Sequence, residues 1–130
     1  MLRLFGANIG HSCQISRLSR ITFPWNLTIG NNSSIGDYVD IYPLGTIAIG
    51  NDVCISQYAK LIAGTHDYTD KMKLVKASII IGNKSWICYG AYIGPEVKIG
   101  NDVIVGAMSV VVKSVASNAK VYGNPAYVRK

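Results

Sequence analysis

Residues 93–112 read Ile93-Gly94-Pro95-Glu96-Val97-Lys98-Ile99-Gly100-Asn101-Asp102-Val103-Ile104-Val105-Gly106-Ala107-Met108-Ser109-Val110-Val111-Val112, and the stretch repeats itself every six residues. An aliphatic residue (Ile93, Ile99, Val105, Val111) opens each unit, and glycine follows the first three. A small or β-branched residue (Val97, Val103, Ser109, Val115) stands four places on. A period of six matches neither the 3.6 residues of a helical turn nor the simple alternation of a strand. Each unit is therefore a short strand plus a corner. One unit alone buries its apolar face against nothing, so the units must stack.

Outward from this stretch the same unit recurs at Ile9, Ile15, Ile21, at Ile29, Ile35, Ile41, at Ile49, Ile55, Leu61 and at Ile81, Ile87. All fifteen opening positions are Ile, Leu or Val, and glycine follows eight of them, where a side chain would obstruct a backbone bend. At the small position only Trp25 breaks the rule, and Thr65 obeys it. Three units close a triangular coil, and five coils stacked as parallel strands about 4.8 Å apart give a prism roughly 24 Å tall. The fold class is all-β. Two-residue insertions, Leu27-Thr28 and Ile47-Ala48, follow the first and second coils, and fourteen residues, 67–80, follow the third. These shifts all come after a third unit. They predict one edge along which Asn26, Thr46 and His66 stack, with a loop over 67–80 projecting from it. In a solenoid such insertions mark the working face. The chain reads as one domain over 1–130, with coils over 9–116 and a capping tail over 117–130 that blunts the last strand edge.

The chain carries 13 Lys and Arg against 7 Asp and Glu, a net charge of +6 that points to an anionic partner. Its basic residues are scattered, and no aromatic run alternates with them as nucleic acid requires. A phosphate-bearing small molecule ranks above nucleic acid. No apolar run approaches the roughly 18 residues of a membrane span, and Arg3 interrupts the short apolar start, so the expected compartment is the cytoplasm. Cys13, Cys54 and Cys88 form no close pair and read as reduced thiols.

The repeat resembles that of the hexapeptide-repeat acyltransferases, whose unit is an aliphatic residue, a glycine, two free residues, a small residue and another free one. Physics alone would give the other hand, since parallel crossovers are right-handed in about 98% of cases. The resemblance implies a single-stranded left-handed parallel β-helix of about five coils. It extends to Gly64-Thr65-His66-Asp67-Tyr68 at the root of the loop, to Trp86-Ile87-Cys88-Tyr89-Gly90-Ala91, and to Val105 through Lys113 with Gly123-Asn124-Pro125-Ala126. The start Leu2-Arg3-Leu4-Phe5-Gly6 and the His66 loop look closest to acetyltransferases of exopolysaccharide and colanic acid biosynthesis.

The resemblance implies that His66 is the general base, since a near-neutral imidazole can take the proton of an attacking hydroxyl. The competing reading for His66 is a hydrogen bond that anchors the loop. Asp67 either orients the imidazole or binds the acceptor, or else forms a turn. Asp40 and Tyr42, one coil earlier near the same edge, are acceptor-pocket candidates. Trp86 is expected beside the coenzyme's pantetheine arm or packed on the loop, and the backbone N–H of Tyr89 is expected to stabilise the oxyanion. Cys88 stands where the family more often has glycine. Main-chain groups near Ala107 and the cations Lys113, Lys120 and Arg129 are expected to hold coenzyme A. The implied cosubstrate is acetyl-CoA, without a metal, and the implied assembly is a homotrimer with sites between subunits. His11 reads as surface structure, and two histidines cannot supply a three-histidine zinc site. The expected acceptor is a saccharide hydroxyl. N-acetylation of an amino-sugar nucleotide, a serine O-acetyltransferase-like reaction and a non-catalytic scaffold remain alternatives.

Overall fold

In the computed structural model, which describes residues 2–129, the six-residue units are short parallel strands laid on three faces. The first face carries Asn8–Ile9, Leu27–Ile29, Ile47–Ile49, Ile79–Ile81 and Lys98–Ile99. Gln14–Ile15, Ser34–Ile35, Cys54–Ile55, Trp86–Ile87, Ile104–Val105 and Lys120–Gly123 form the second. Arg20–Ile21, Asp40–Tyr42, Lys60–Ile62, Tyr92–Ile93 and Val110–Val111 form the third. The chain visits the faces in fixed rotation, so each coil pairs in parallel with the next. That is the all-β prism of about five coils expected from the period.

From Ile29 to Val111 every opening aliphatic residue is buried in one continuous core. Burying each such side chain contributes about 1.5–3 kcal/mol, which is what offsets the ordering of so many two-residue strands. Ile9, Ile15 and Ile21 of the first coil are only half-buried, because no further coil covers them. Small residues such as Val39, Ala59, Ala91 and Val103 fill the corners. Where the small residue is a buried serine, its hydroxyl closes a corner. Ser33 Oγ donates to the Gly50 carbonyl (2.7 Å) and accepts from the Val53 N–H (3.0 Å), and Ser85 does the same for Gly100 (2.8 Å) and Val103 (3.1 Å).

The glycines that follow the aliphatic residues serve close approach. A Cβ on Gly30 or Gly50 would lie 2.3 Å from the side-chain oxygen of Asn51 or Asn83. The left-handed backbone conformation falls two residues later, on Asn32, Asp52, Lys84 and Asp102. Between these positions runs an asparagine ladder. The N–H groups of His11, Asn31, Asn51 and Asn83 each donate to the side chain of the asparagine one coil on, at 2.7–2.8 Å.

The structure corrects the expected register at four points. The two-residue insertions are strand residues: Leu27 and Ile47 are buried beside Ile29 and Ile49, and Leu27, Ile47 and Ile79 pair in register. The column Asn26–Thr46 is therefore continued by Ser78, and His66 leaves it. The segment expected as a loop over 67–80 belongs to a hairpin of Gly64–Asp67 and Lys73–Lys76, while Ile79 and Ile80 already lie in the next strand. Thr65, which the repeat put at the small position of a unit, is exposed on that hairpin, and Ala63 and Ala77 are buried at its base. Finally, the stack continues past Ala116. Val115 bridges Ile99, Lys120-Val121 pairs with Ile104-Val105, and Ala126–Val128 then folds back antiparallel after the cis Asn124-Pro125 bond.

Candidate functional site

The hairpin leaves the prism at the edge between the third and first faces, and its antiparallel register sets His66 opposite Leu74 and Gly64 opposite Lys76. At its turn Asp67 Oδ1 accepts from the Thr69 hydroxyl (2.5 Å) and the Thr69 N–H (2.9 Å). Those two hydrogen bonds, the hydroxyl's first, hold the Asp67 carboxyl below the usual carboxylate range. Of the alternatives for Asp67, the geometry is that of the turn-former.

His66 is exposed, and its Nδ1 lies 2.8 Å from the Met72 carbonyl oxygen. A carbonyl only accepts, so Nδ1 carries the proton and, in the neutral ring, Nε2 keeps a free lone pair. The anchoring bond and the free basic nitrogen are two ends of one ring. Side chains alternate along a strand, which puts His66 on the hairpin face shared by Gly64, Leu74 and Lys76. That face is turned toward the prism: a Cβ on Gly64 would meet Leu44 Cδ2 at 2.8 Å and the Tyr42 ring at 3.4 Å. Tyr42 is in turn steadied by Phe23, with ring centroids 5.5 Å apart. Met72, Lys76 and Leu44 were missed from the sequence. Only Lys76 has a sequence signal, the alternation of residues 64–67 against 73–76; Met72 acts through its main chain, and Leu44 comes from the coil below.

Asp40 opens the strand that ends in Tyr42 and stands in register between Arg20 and Lys60. Lys113 follows Val110–Val111, at the same edge as His66 but two coils on, and is exposed. The other expected residues lie elsewhere. Trp86 is on the second face, where its exposed indole N–H donates to Ser56 Oγ at 2.9 Å. Tyr89, on the edge between the second and third faces, continues an exposed ladder in which its ring is 5.4 Å from that of Tyr58, itself 5.2 Å from Tyr38. The backbone N–H groups of Tyr89 and Ala107, on successive coils of that edge, donate to no partner among the described residues. Burial, and then the neighbouring Cys54, push the Cys88 thiol up. Arg129 sits over the Tyr122 ring at 5.7 Å, its backbone N–H bonded to the Lys120 carbonyl at 2.8 Å.

In a triangular prism the edge between the third and first faces lies opposite the second face. One chain therefore places His66, Asp67 and Lys113 at that edge and Asp40 and Tyr42 on the third face, whose other edge carries Tyr89 and Ala107, while Trp86 and Arg129 belong to the second face. All three cysteines are free, and among the described residues no three His, Cys, Asp or Glu side chains cluster as a metal site.

The family model of the bacterial transferase hexapeptide (six repeats) matches residues 78–113. The protein named as the colanic acid biosynthesis acetyltransferase WcaF of Escherichia coli (strain K12) is 43% identical over 129 residues, covering 98% of this chain and 71% of the relative. Among solved structures, a maltose O-acetyltransferase from Clostridium difficile 630 superposes with a TM-score of 0.92 at 26% identity, over 99% of this chain and 71% of that one. A galactoside acetyltransferase in complex with coenzyme A gives 0.92 at 25% identity, over 99% and 66%. The prism is thus a left-handed parallel β-helix. The chain belongs to the hexapeptide-repeat family of bacterial transferases, and within it to the acetyltransferases.

Proposed function

We propose that this chain is an acetyl-CoA-dependent O-acetyltransferase whose acceptor is a saccharide hydroxyl in bacterial polysaccharide biosynthesis and whose general base is His66. The observation that carries this reading is the Nδ1–H bond to the Met72 carbonyl, which leaves the exposed His66 ring with a free lone pair on Nε2, on the hairpin face that Gly64 shares. The names of the relatives, WcaF and the maltose and galactoside enzymes, support a saccharide acceptor.

Coenzyme A fits the residues present. The unpartnered N–H groups of Tyr89 and Ala107, with the exposed Trp86 on the adjoining second face, offer a surface for its amide-bearing arm, and Arg129, together with Lys113 from the hairpin edge of the facing copy, offers charge for its phosphates. When bound, the coenzyme supplies an activated acetyl group and a thiolate leaving group. The protein does the rest. His66 Nε2 takes the acceptor proton as the hydroxyl oxygen attacks the acetyl carbon, and the Met72 carbonyl steadies the imidazolium that forms. The Tyr89 N–H donates to the oxygen on which charge develops, and the proton then passes from His66 to the departing sulfur. Because His66 and Tyr89 lie on different edges of one prism, this reading completes the site where the hairpin edge of one copy meets the Tyr89 edge of another. A homotrimer closes three such sites at once. The reading takes residues 1–130 as one domain working in the cytoplasm.

The test is His66→Ala with a panel of saccharides, sugar nucleotides and serine, followed by thiol release. Turnover is expected to fall roughly 100- to 10,000-fold, while stabilisation of the protein by coenzyme A in a thermal shift is retained. Near-native turnover in the variant removes His66 as the base. Thiol release with serine or an amino-sugar nucleotide alone moves the acceptor assignment away from saccharides.

A further inference from the structure

The outer end of the first coil opens into a cavity of ≈ 780 Å³ floored by Ile9, Cys13, Ile15 and Ile21 and rimmed by Arg3 and Arg17. Beside it Leu4, Phe5 and Trp25 stand out of the surface, 82%, 55% and 61% exposed. These side chains are presented on an anchored support. The Leu2–Phe5 turn is tied by the Gly6 and Ala7 N–H groups to the Arg3 and Leu2 carbonyls (3.1 Å each), and Gly6 lies so close to Trp25 that a Cβ would come within 2.9 Å. The Arg3 guanidinium donates through Nε and Nη2 to the Ile9 carbonyl (3.3 and 3.1 Å) and through Nη2 to the Gly10 carbonyl (2.9 Å), leaving the Nη1 hydrogens for an outside acceptor.

Every Asp, Glu, Lys or Arg of the first coil is an arginine. No Asp or Glu occurs before Asp37, while Arg3, Arg17 and Arg20 all do. The first acidic residues, Asp37 and Asp40, lie one coil deeper in register with Arg17 and Arg20, and Asp37 accepts from the Ser16 hydroxyl. An apolar floor, protruding aromatic and aliphatic side chains and arginines at the rim match a surface that is apolar inside and anionic outside.

We propose that this end of the prism docks peripherally on an anionic phospholipid bilayer, with Leu4, Phe5 and Trp25 entering the interface and Arg3 and Arg17 meeting lipid phosphates. A second copy set end to end would instead bring the arginines of both against each other. Among the described residues no helix is long and apolar enough to cross a membrane, so the contact is interfacial. The inference stands apart from the acetyl-transfer reading and survives its failure.

Sedimentation with vesicles tests it. Binding to phosphatidylcholine mixed with phosphatidylglycerol is expected to be about tenfold tighter or more than to phosphatidylcholine alone, since each basic residue near an anionic surface contributes about 1 kcal/mol, and to weaken as salt is raised. The Leu4→Ser, Phe5→Ser double variant, whose lost side chains are exposed, is expected to lose most of this binding with an unchanged circular dichroism melt. Arg17→Glu, which leaves the apolar residues alone, is expected to abolish the preference for phosphatidylglycerol and serves where the double variant misfolds. No binding, equal binding to both vesicles, or native binding by both variants overturns the proposal. So does self-association that the double variant abolishes while vesicles stay unbound.

Discussion

At His66 the proton on Nδ1 is held by a main-chain oxygen, that of Met72, and the carboxylate next in sequence is occupied by Thr69. The histidine itself was legible, since it is one of two in the chain and stands where the six-residue rhythm breaks. Its partner was not. A backbone carbonyl leaves no mark in the residue types, and only the hairpin register brings position 72 back to position 66. The same holds for Asp67, whose role depends on which acceptor sites its neighbours fill. Because the Asp67 carboxyl is held below its ordinary range, its contribution to the turn is present above the unfolded-state pKa and is lost as pH falls through the lower folded-state value. The amide shift of Thr69 is therefore expected to titrate with a midpoint below about 3.9, the ordinary aspartate value. That titration should be absent in Asp67→Ala. A midpoint at or above that value in an NMR titration would contradict the turn.

On the scale of single elements, the hexads were readable because one side chain in six must be aliphatic to reach the axis. The lengthened strands of the first face were not, and the reason is parity. Adding two residues to a strand keeps inward and outward positions in phase, so Leu27 and Ile47 look like corner insertions in sequence while they add a second inward residue to each first-face strand. Two substitutions separate the core from the hairpin it carries. Ile47→Ala leaves a cavity and is expected to cost about 2–5 kcal/mol. Gly45→Ala forces a Cβ to within 1.8 Å of the Ala77 carbonyl at the hairpin base, overpacking worth about 1–3 kcal/mol. Urea melts are expected to rank Ile47→Ala as the more damaging to stability. Thiol-release kinetics are expected to rank Gly45→Ala as the more damaging to turnover, because only it displaces the base of the hairpin that carries His66. If turnover follows stability in both, the hairpin is not positioned through its base.

At the scale of the whole molecule, the division of the expected residues among different edges and faces of the prism was invisible in sequence, because it depends on the order in which the coil meets its three faces. The missed sixth-coil rung has a plainer cause. Val115 and Val121 are again six apart, but the step from Val111 to Val115 is four, so the rhythm restarts after what reads as its end. A stack in which each coil touches only its neighbours is as stable locally as the coils on either side of it. The last full coil is covered by Val115, Val121 and the folded-back Ala126–Val128, whereas the first has a half-buried floor and an open end. Hydrogen exchange should therefore run inward from one end. The amides of Gly10, Gln14, Ser16 and Arg20, which donate from the first coil to the second, are expected to exchange before those of Gly50, Cys54 and Lys60, which donate from the third coil to the fourth. Under conditions where exchange reports opening equilibria, each removed coil leaves the next with only one neighbour, so protection should rise coil by coil. Uniform protection across the first three coils would mean that the prism opens only as a whole and that its outer end carries no local weakness.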